Sequence, residues 1–387
     1  MKKIHSLWIF MTMITLLAIA TPAAAQRPPR VIPEQGNALV GRLPRGYAGL
    51  EPAANPLTTS IPKGGVGAEF ARIGSLLQAA SMTGDTRLVA RADALLARQP
   101  MKSDNPDVLR LRAYSAQHRH DFAGALRLLD QLIDVQPRNA SARLSRAEVQ
   151  LVQGRIDKAR ADCRALALGI DADTGLLCAA SLALRTGGYA EASALLDRLL
   201  DQFKPTDSRR AFALLARAEV AGRAGDADAD ARYRAGVAAS PGDIRTRVSY
   251  ARYLRRVGRD AEVEQVLAGS EQSDTAQLQR TLAAVAGKRG NAQSLVASQS
   301  RRYELAHAMG SQPEMRDEAD FLLLVKQQPE QALALALRNF EQQRDHEDVD
   351  ILVRAANAAH KADALDGLHE WQQTQGTASA DNTRGQP

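Results

Sequence analysis

Residues Pro137–Leu168, PRNASARLSRAEVQLVQGRIDKARADCRALAL, constrain the fold more than any other stretch of the chain. Ala140, Leu144, Ala147 and Leu151 stand at i, i+4, i+7 and i+11, the spacing of one helix face. Gly154 ends that face, because glycine costs about 1 kcal/mol inside a helix but takes left-handed turn angles freely. Ile156, Ala159, Cys163 and Leu166 then rebuild a face at i, i+3, i+7 and i+10. The product is a hairpin of two short amphipathic helices. It recurs: Arg217-Ala218-Glu219-Val220 followed by Gly225 repeats Arg146-Ala147-Glu148-Val149 followed by Gly154. A hairpin this small cannot bury its apolar face alone, so it must stack on copies of itself. The expected fold is all-α, a superhelical solenoid of tandem helix-turn-helix units.

The inter-helix turn is expected at Gly84, His120, Gly154, Gly187, Gly225, Gly258, Gly290, Gln327 and Ala362. These positions lie on average about 35 residues apart, and the unit resembles the tetratricopeptide repeat, which places two helices in about 34 residues. A small residue inside the first helix (Ala113, Ala147, Ala180, Ala218, Ala251) lets the second helix approach, and another opens the second helix (Ala125, Ala159, Ala192). The family's large aromatic in the first helix is replaced here by Leu109, Leu144 and Leu214. The match is strongest over residues 105–268. Helix pairs are expected from 68–82 with 86–98 through to 348–360 with 363–373, with second helices at 156–168 and 260–268. The resemblance implies that first helices line a concave groove in which extended peptides bind, with Leu144, Leu177 and Leu215 sharing its wall.

The two ends are different material. Lys2 and Lys3 precede the apolar run Leu7–Ala20, and Ala23-Ala24-Ala25 offers small residues before Gln26. Residues 1–25 therefore read as a secretory signal peptide cleaved after Ala25, since a run of about 14 residues falls short of the roughly 20 that span a bilayer. The expected location is periplasmic or secreted. Residues 26–67 form a Pro/Gly-rich leader or tether with seven of the chain's sixteen prolines, 68–373 the repeat array, and 374–387 a disordered tail. The formal charge of +6 falls to about +4 without the leader, too mild for a nucleic-acid partner.

Little in the sequence carries chemistry. His118, His120 and Asp121 share one turn, but a metal wants three or four converging ligands. Asp226, Asp228 and Asp230 lack the sixth-place glycine and closing glutamate of a calcium loop. No nucleophile elbow, phosphate-binding loop or metalloprotease helix is present. No catalytic, cofactor-binding or metal-ligating residues are expected, and the cofactor expectation is none. Cys163 and Cys178 fall on adjacent helices. Both a disulfide and a pair of small buried side chains fit them, the choice turning on whether their Cα atoms come within about 7 Å. The clearest polar feature is residues 244–259, with six arginines and no acid. Arg245, Arg252, Arg256 and Arg259, at i, i+7, i+11 and i+14, make one stripe, set against the alternative of a solvated face. As a partner-binding set it would recognise an acidic protein or peptide. The function expected is that of an exported, non-enzymatic scaffold holding a protein partner, in envelope assembly or export. Its alternatives are a cell-wall or polysaccharide-binding accessory, disfavoured by few aromatics, and an enzyme using the scattered His307, His346, His360 and His369.

Overall fold

The computed structural model describes residues 66–98, 104–308, 310 and 312–374. The expected signal peptide, the leader through residue 65 and the tail from residue 375 lie outside them. Among the described residues the chain forms helices and no strands. Hairpins pair α1 (Val66–Thr83) with α2 (Thr86–Arg98), α3 (Pro106–His118) with α4 (Phe122–Val135), and α5 (Ala140–Val152) with α6 (Ile156–Ala165). Next come α7 (Ala172–Arg185) with α8 (Tyr189–Gln202), α9 (Ser208–Ala224) with α10 (Ala229–Ala239), and α11 (Ile244–Arg256) with α12 (Val263–Leu267). The last hairpins are α13 (Asp274–Ala286) with α14 (Ala292–Ala308), α15 (Met315–Leu324) with α16 (Pro329–Gln342), and α17 (His346–Ala358) with α18 (Asp366–Thr374). This is the expected all-α helical-repeat solenoid.

Short-range chemistry sets the ends of these elements. Asn105, Asn139, Asp171, Asp207, Asp243 and Ser273 each accept a hydrogen bond from a backbone N–H in the first turn of the helix they precede. All six cap first helices of hairpins, satisfying donors that no helix can satisfy internally. Seven of the nine expected turn residues, including His120 and Gln327, do take a left-handed conformation. In the two others the turn sits two residues earlier, at Lys288 and His360. One second helix differs in kind: α6 stops at Ala165 and Leu166–Ile170 winds into a π turn. Gly175 explains how that wider turn fits, because a Cβ there would lie 2.4 Å from the backbone of Ala167. The second helix expected at 260–268 begins with a 3₁₀ turn, Asp260–Glu262, before α12.

The core is a row of small clusters, each shared by neighbouring hairpins. Leu109, Ala113, Leu126, Leu129 and Leu132 of one hairpin pack with Ala142 and Val149 of the next. Leu177, Leu196, Leu199 and Phe203 pack likewise with Ala213, Ala216 and Val220. The repeated alanines at 113, 147, 180, 218 and 251, and those at 125, 159 and 192, are all buried, as close helix crossing requires. Leu177, expected on the groove wall, is in this core instead. Arg146 and Arg217, the first letters of the duplicated motif, tether hairpins: Arg146 bonds Asp130 at 2.7 Å and Asp162 at 2.6 and 2.8 Å, and Arg217 bonds Asp197 at 2.9 Å.

The array curls far enough to meet itself. α1 packs on α11, and the Ser273 side chain lies against Gly84. At the other end, the indole of Trp371 covers Gly154, and its Nε1 donates to the Gly154 carbonyl at 3.4 Å. Gly154 thus has two duties, a left-handed turn at φ 68° and a flat surface for an aromatic ring, and a side chain would obstruct both.

Candidate functional site

Counting from each repeated alanine gives the positions that the repeat resemblance assigns to a groove wall. The next residue in each first helix is Tyr114, Glu148, Ser181, Glu219 or Arg252, and one turn further on stand His118, Val152, Arg185, Arg223 and Arg256. In this structure much of that wall already has an occupant, the start of the chain's own last two hairpins. Arg185 pairs with Asp345 and Arg223 with Glu347. Arg252 pairs with Asp317 at 3.0 Å. The Arg344 N–H donates to the Val152 carbonyl at 2.7 Å, and His346 Nε2 donates to the Leu184 carbonyl at 2.9 Å. At the rim, His120 lies 3.3 Å from both Glu314 and Gln343.

Electrostatics follow from this enclosure. Burial alone would raise the Glu347 carboxyl, yet Arg223, Arg252 and Arg316 outweigh it and hold the group well below the usual carboxylate range. This occurs although 39% of its side chain is still accessible, because charged walls stand around it. Burial, reinforced by the Glu347 charge, raises Glu219. Burial also lowers His346, to about 4, with Arg223 adding to the effect. Asp348 is raised by burial, against the pull of Arg316 at 3.3 Å and an Asn339 hydrogen bond at 2.9 Å.

The four arginines expected as one stripe point to four places. Arg245 pairs with Asp243 at 3.0 Å, Arg252 with Asp317, and Arg256 donates to the Gly222 carbonyl at 3.0 Å. Arg259 bridges Asp230 and Glu262 at 2.7 and 2.6 Å. Helical spacing holds for Arg245, Arg252 and Arg256 on α11, but Arg259 lies beyond its end, past the left-handed Gly258. α15, α9 and α10 engage Arg252, Arg256 and Arg259, and Arg245 is held by the cap Asp243. The stripe is therefore not a free basic surface. The arginines that sequence reasoning missed, Arg185 and Arg223, hold equivalent places in consecutive hairpins, and repeat alignment was the signal that would have found them.

The other candidates have separate settings. Cys163 and Cys178 are joined in a disulfide with Cα atoms 5.2 Å apart. Among the described residues, no group of three or more His, Cys, Asp or Glu side chains is placed to hold a metal ion. The turn at 118–121 is not simply solvated, since His118 packs edge-on against Tyr114, His120 joins the docked segment and Asp121 caps α4. His307 pairs with Glu318 at 2.8 Å, His346 meets α7, His360 shapes a turn and His369 is exposed on α18. These histidines do not form a constellation.

Comparison with known proteins supports the architecture. Residues 110–175 match the model of the tetratricopeptide repeat family. That match spans α3 to the start of α7 alone; across the described residues the recurring two-helix period is that of an all-α helical-repeat fold. Among solved structures, the APC/C hetero-tetramer Cut9-Hcn1 is similar at TM-score 0.52 and 14% identity, over 79% of this chain and 60% of that one. The chain thus spans less than two thirds of that relative's length, and the likeness is one of fold. A human IFIT1 dimer with PPP-AAAA gives TM-score 0.49 at 14% identity, over 81% of this chain and 73% of that one. A tetratricopeptide repeat protein from Parabacteroides merdae gives 0.38 at 15% identity, over 75% and 99%. No curated protein matches the sequence.

Proposed function

We propose that this protein is an exported, non-enzymatic scaffold that binds a protein or peptide partner carrying acidic side chains. The single observation that carries the partner's chemistry is the arginine row on the concave face: Arg185, Arg223 and Arg252 each hold a carboxylate from another part of the chain. Arginine suits the role because its planar donors match carboxylate geometry and its charge is permanent. Fold alone does not assign a function, and the tetratricopeptide architecture supports the scaffold class by analogy. Export is supported by the Lys2-Lys3, apolar run and Ala23–Ala25 layout, and by a Cys163–Cys178 pair suited to an oxidising compartment. Among the described residues no helix is long and apolar enough to cross a membrane. The periplasm is the compartment proposed, and an envelope assembly or export machine the setting.

The test has two arms. Protein recovered from a periplasmic extract should begin at Gln26 on N-terminal sequencing, and a full-length membrane-bound species would refute export. Affinity capture from envelope extract should recover a protein partner whose retention falls as salt rises, since exposed charges are screened beyond about 8 Å at physiological ionic strength. Recovery of glycan alone would refute the scaffold reading.

A further inference from the structure

The contact between the groove and the last two hairpins has an unusual division of labour. The apolar side of α17 (Val349, Ile351, Leu352, Ala355, Ala356) packs with Ala319, Leu333, Phe340 and Leu368, all from α15, α16 and α18. No residue of α3 to α11 enters that cluster. What α17 presents to the groove is its first turn: Asp345, His346 and Glu347. The groove answers with Arg185 and Arg223 and with the carbonyls of Val152 and Leu184, at the C-terminal ends of α5 and α7. Such carbonyls are the ones a helix leaves without internal partners. Cations and open carbonyls together suit a segment that brings carboxylates and N–H groups, as the first turn of an acid-capped helix does. Asp348 faces the opposite way, to Arg316, Asn339 and the Asp345 N–H at 2.8 Å, and so shapes the turn.

We propose that this seat is a recognition site for the acid-rich first turn of a partner helix, of pattern Asp-x-Glu-Asp, and that α17 is its resident occupant until a partner's turn displaces it. The inference deepens the scaffold reading and rests on it. Displacement leaves the α15–α18 cluster packed, and α15 stays joined to α13 and α14 through Leu278, Leu282, Tyr303 and Phe321. The ion pairs it breaks, Arg185–Asp345 and Arg223–Glu347, are re-formed by the incoming carboxylates.

The experiment uses the full chain carrying Trp8→Phe, in which Trp371, against Gly154, is the single tryptophan. The probe is a labelled synthetic peptide copying residues 343–358 of this chain. An Asp345→Asn/Glu347→Gln chain, whose own turn is weakened, should bind the peptide about tenfold more tightly than the wild-type sequence, because more of the seat is unoccupied. Adding Arg185→Glu/Arg223→Glu should remove that gain. Equal binding to the first two chains, or binding that survives the arginine reversals, would overturn the proposal. Should the neutralised chain lose helical circular dichroism, the wild-type groove decides: excess peptide must shift Trp371 emission to the red, and a peptide with the 347 carboxylate replaced by an amide must not. Absence of the shift overturns the proposal. Capture of a natural partner with Trp371 emission unchanged would overturn it too, while leaving the scaffold reading intact.

Discussion

Ala147 packs with Ile156, Ala159 and Cys163 of the opposing helix, and Ala218 lies in the same kind of crossing beside Tyr233; both are fully buried. A leucine at either place has nowhere to go without pushing two helices apart. Ala147→Leu and Ala218→Leu should each cost roughly 1–3 kcal/mol, read as a lower denaturant midpoint. Ala194, exposed on α8, should accept the same change within about 0.5 kcal/mol. Equal midpoints for all three variants would contradict the crossing geometry. These alanines were legible in the sequence because their environment is local, set by residues one hairpin away. Arg252 was legible only as a charge. Its partner Asp317 lies 65 positions on, and nothing in the spacing of residues 244–259 points to it.

At the scale of elements, helices and turns were read well and their special cases poorly. Caps, glycines and apolar spacing act within about one turn, so nine hairpins could be placed from them. The π turn after Ala165 depends instead on the backbone fitting against Gly175 of the next helix, a tertiary relation without a sequence signature. The disulfide bridges this same junction, joining α6 to α7 across a separation of 15 residues. A closed loop of that size is worth about 3 kcal/mol in the chain-entropy model. Because both sulfurs sit in a buried cluster with Leu151, Leu166 and Ala147, the reduced thiols remain packed. Reduction should therefore lower stability by about 2–4 kcal/mol while leaving the helical spectrum unchanged under native conditions. An unfolding midpoint indifferent to reductant would show that the pair is open in solution.

For the whole molecule, the decisive quantity is the small rotation from each hairpin to the next, because its accumulation determines whether the array stays open or meets itself. Here it meets itself, through pairs such as Arg223–Glu347 and Trp371–Gly154 that lie 124 and 217 positions apart. Sequence periodicity fixes each step but not the sum, so the groove's occupant was invisible to it. That closure should depend on pH through His346, whose ring meets the Leu184 carbonyl and lies near Arg185 on α7, Arg223 on α9 and its own neighbour Glu347. Burial lowers it to about 4 in the docked state, against an ordinary value near 6.5. A depressed histidine is neutral when docked, so its contribution is fully present above pH 6.5. Below that, the undocked form takes up a proton that the docked form refuses, and docking weakens progressively down to about pH 4. Glu219, raised by burial and by the Glu347 charge, acts in the opposite sense, since protonating it favours the docked state. The contribution of His346 is therefore read as a difference. In a Trp8→Phe background, Trp371 emission should move further to the red between pH 6.5 and 4 in the wild-type sequence than in His346→Asn, which keeps a donor for the carbonyl but cannot charge. Superimposable profiles would show that the docked ring takes up its proton as readily as the free one.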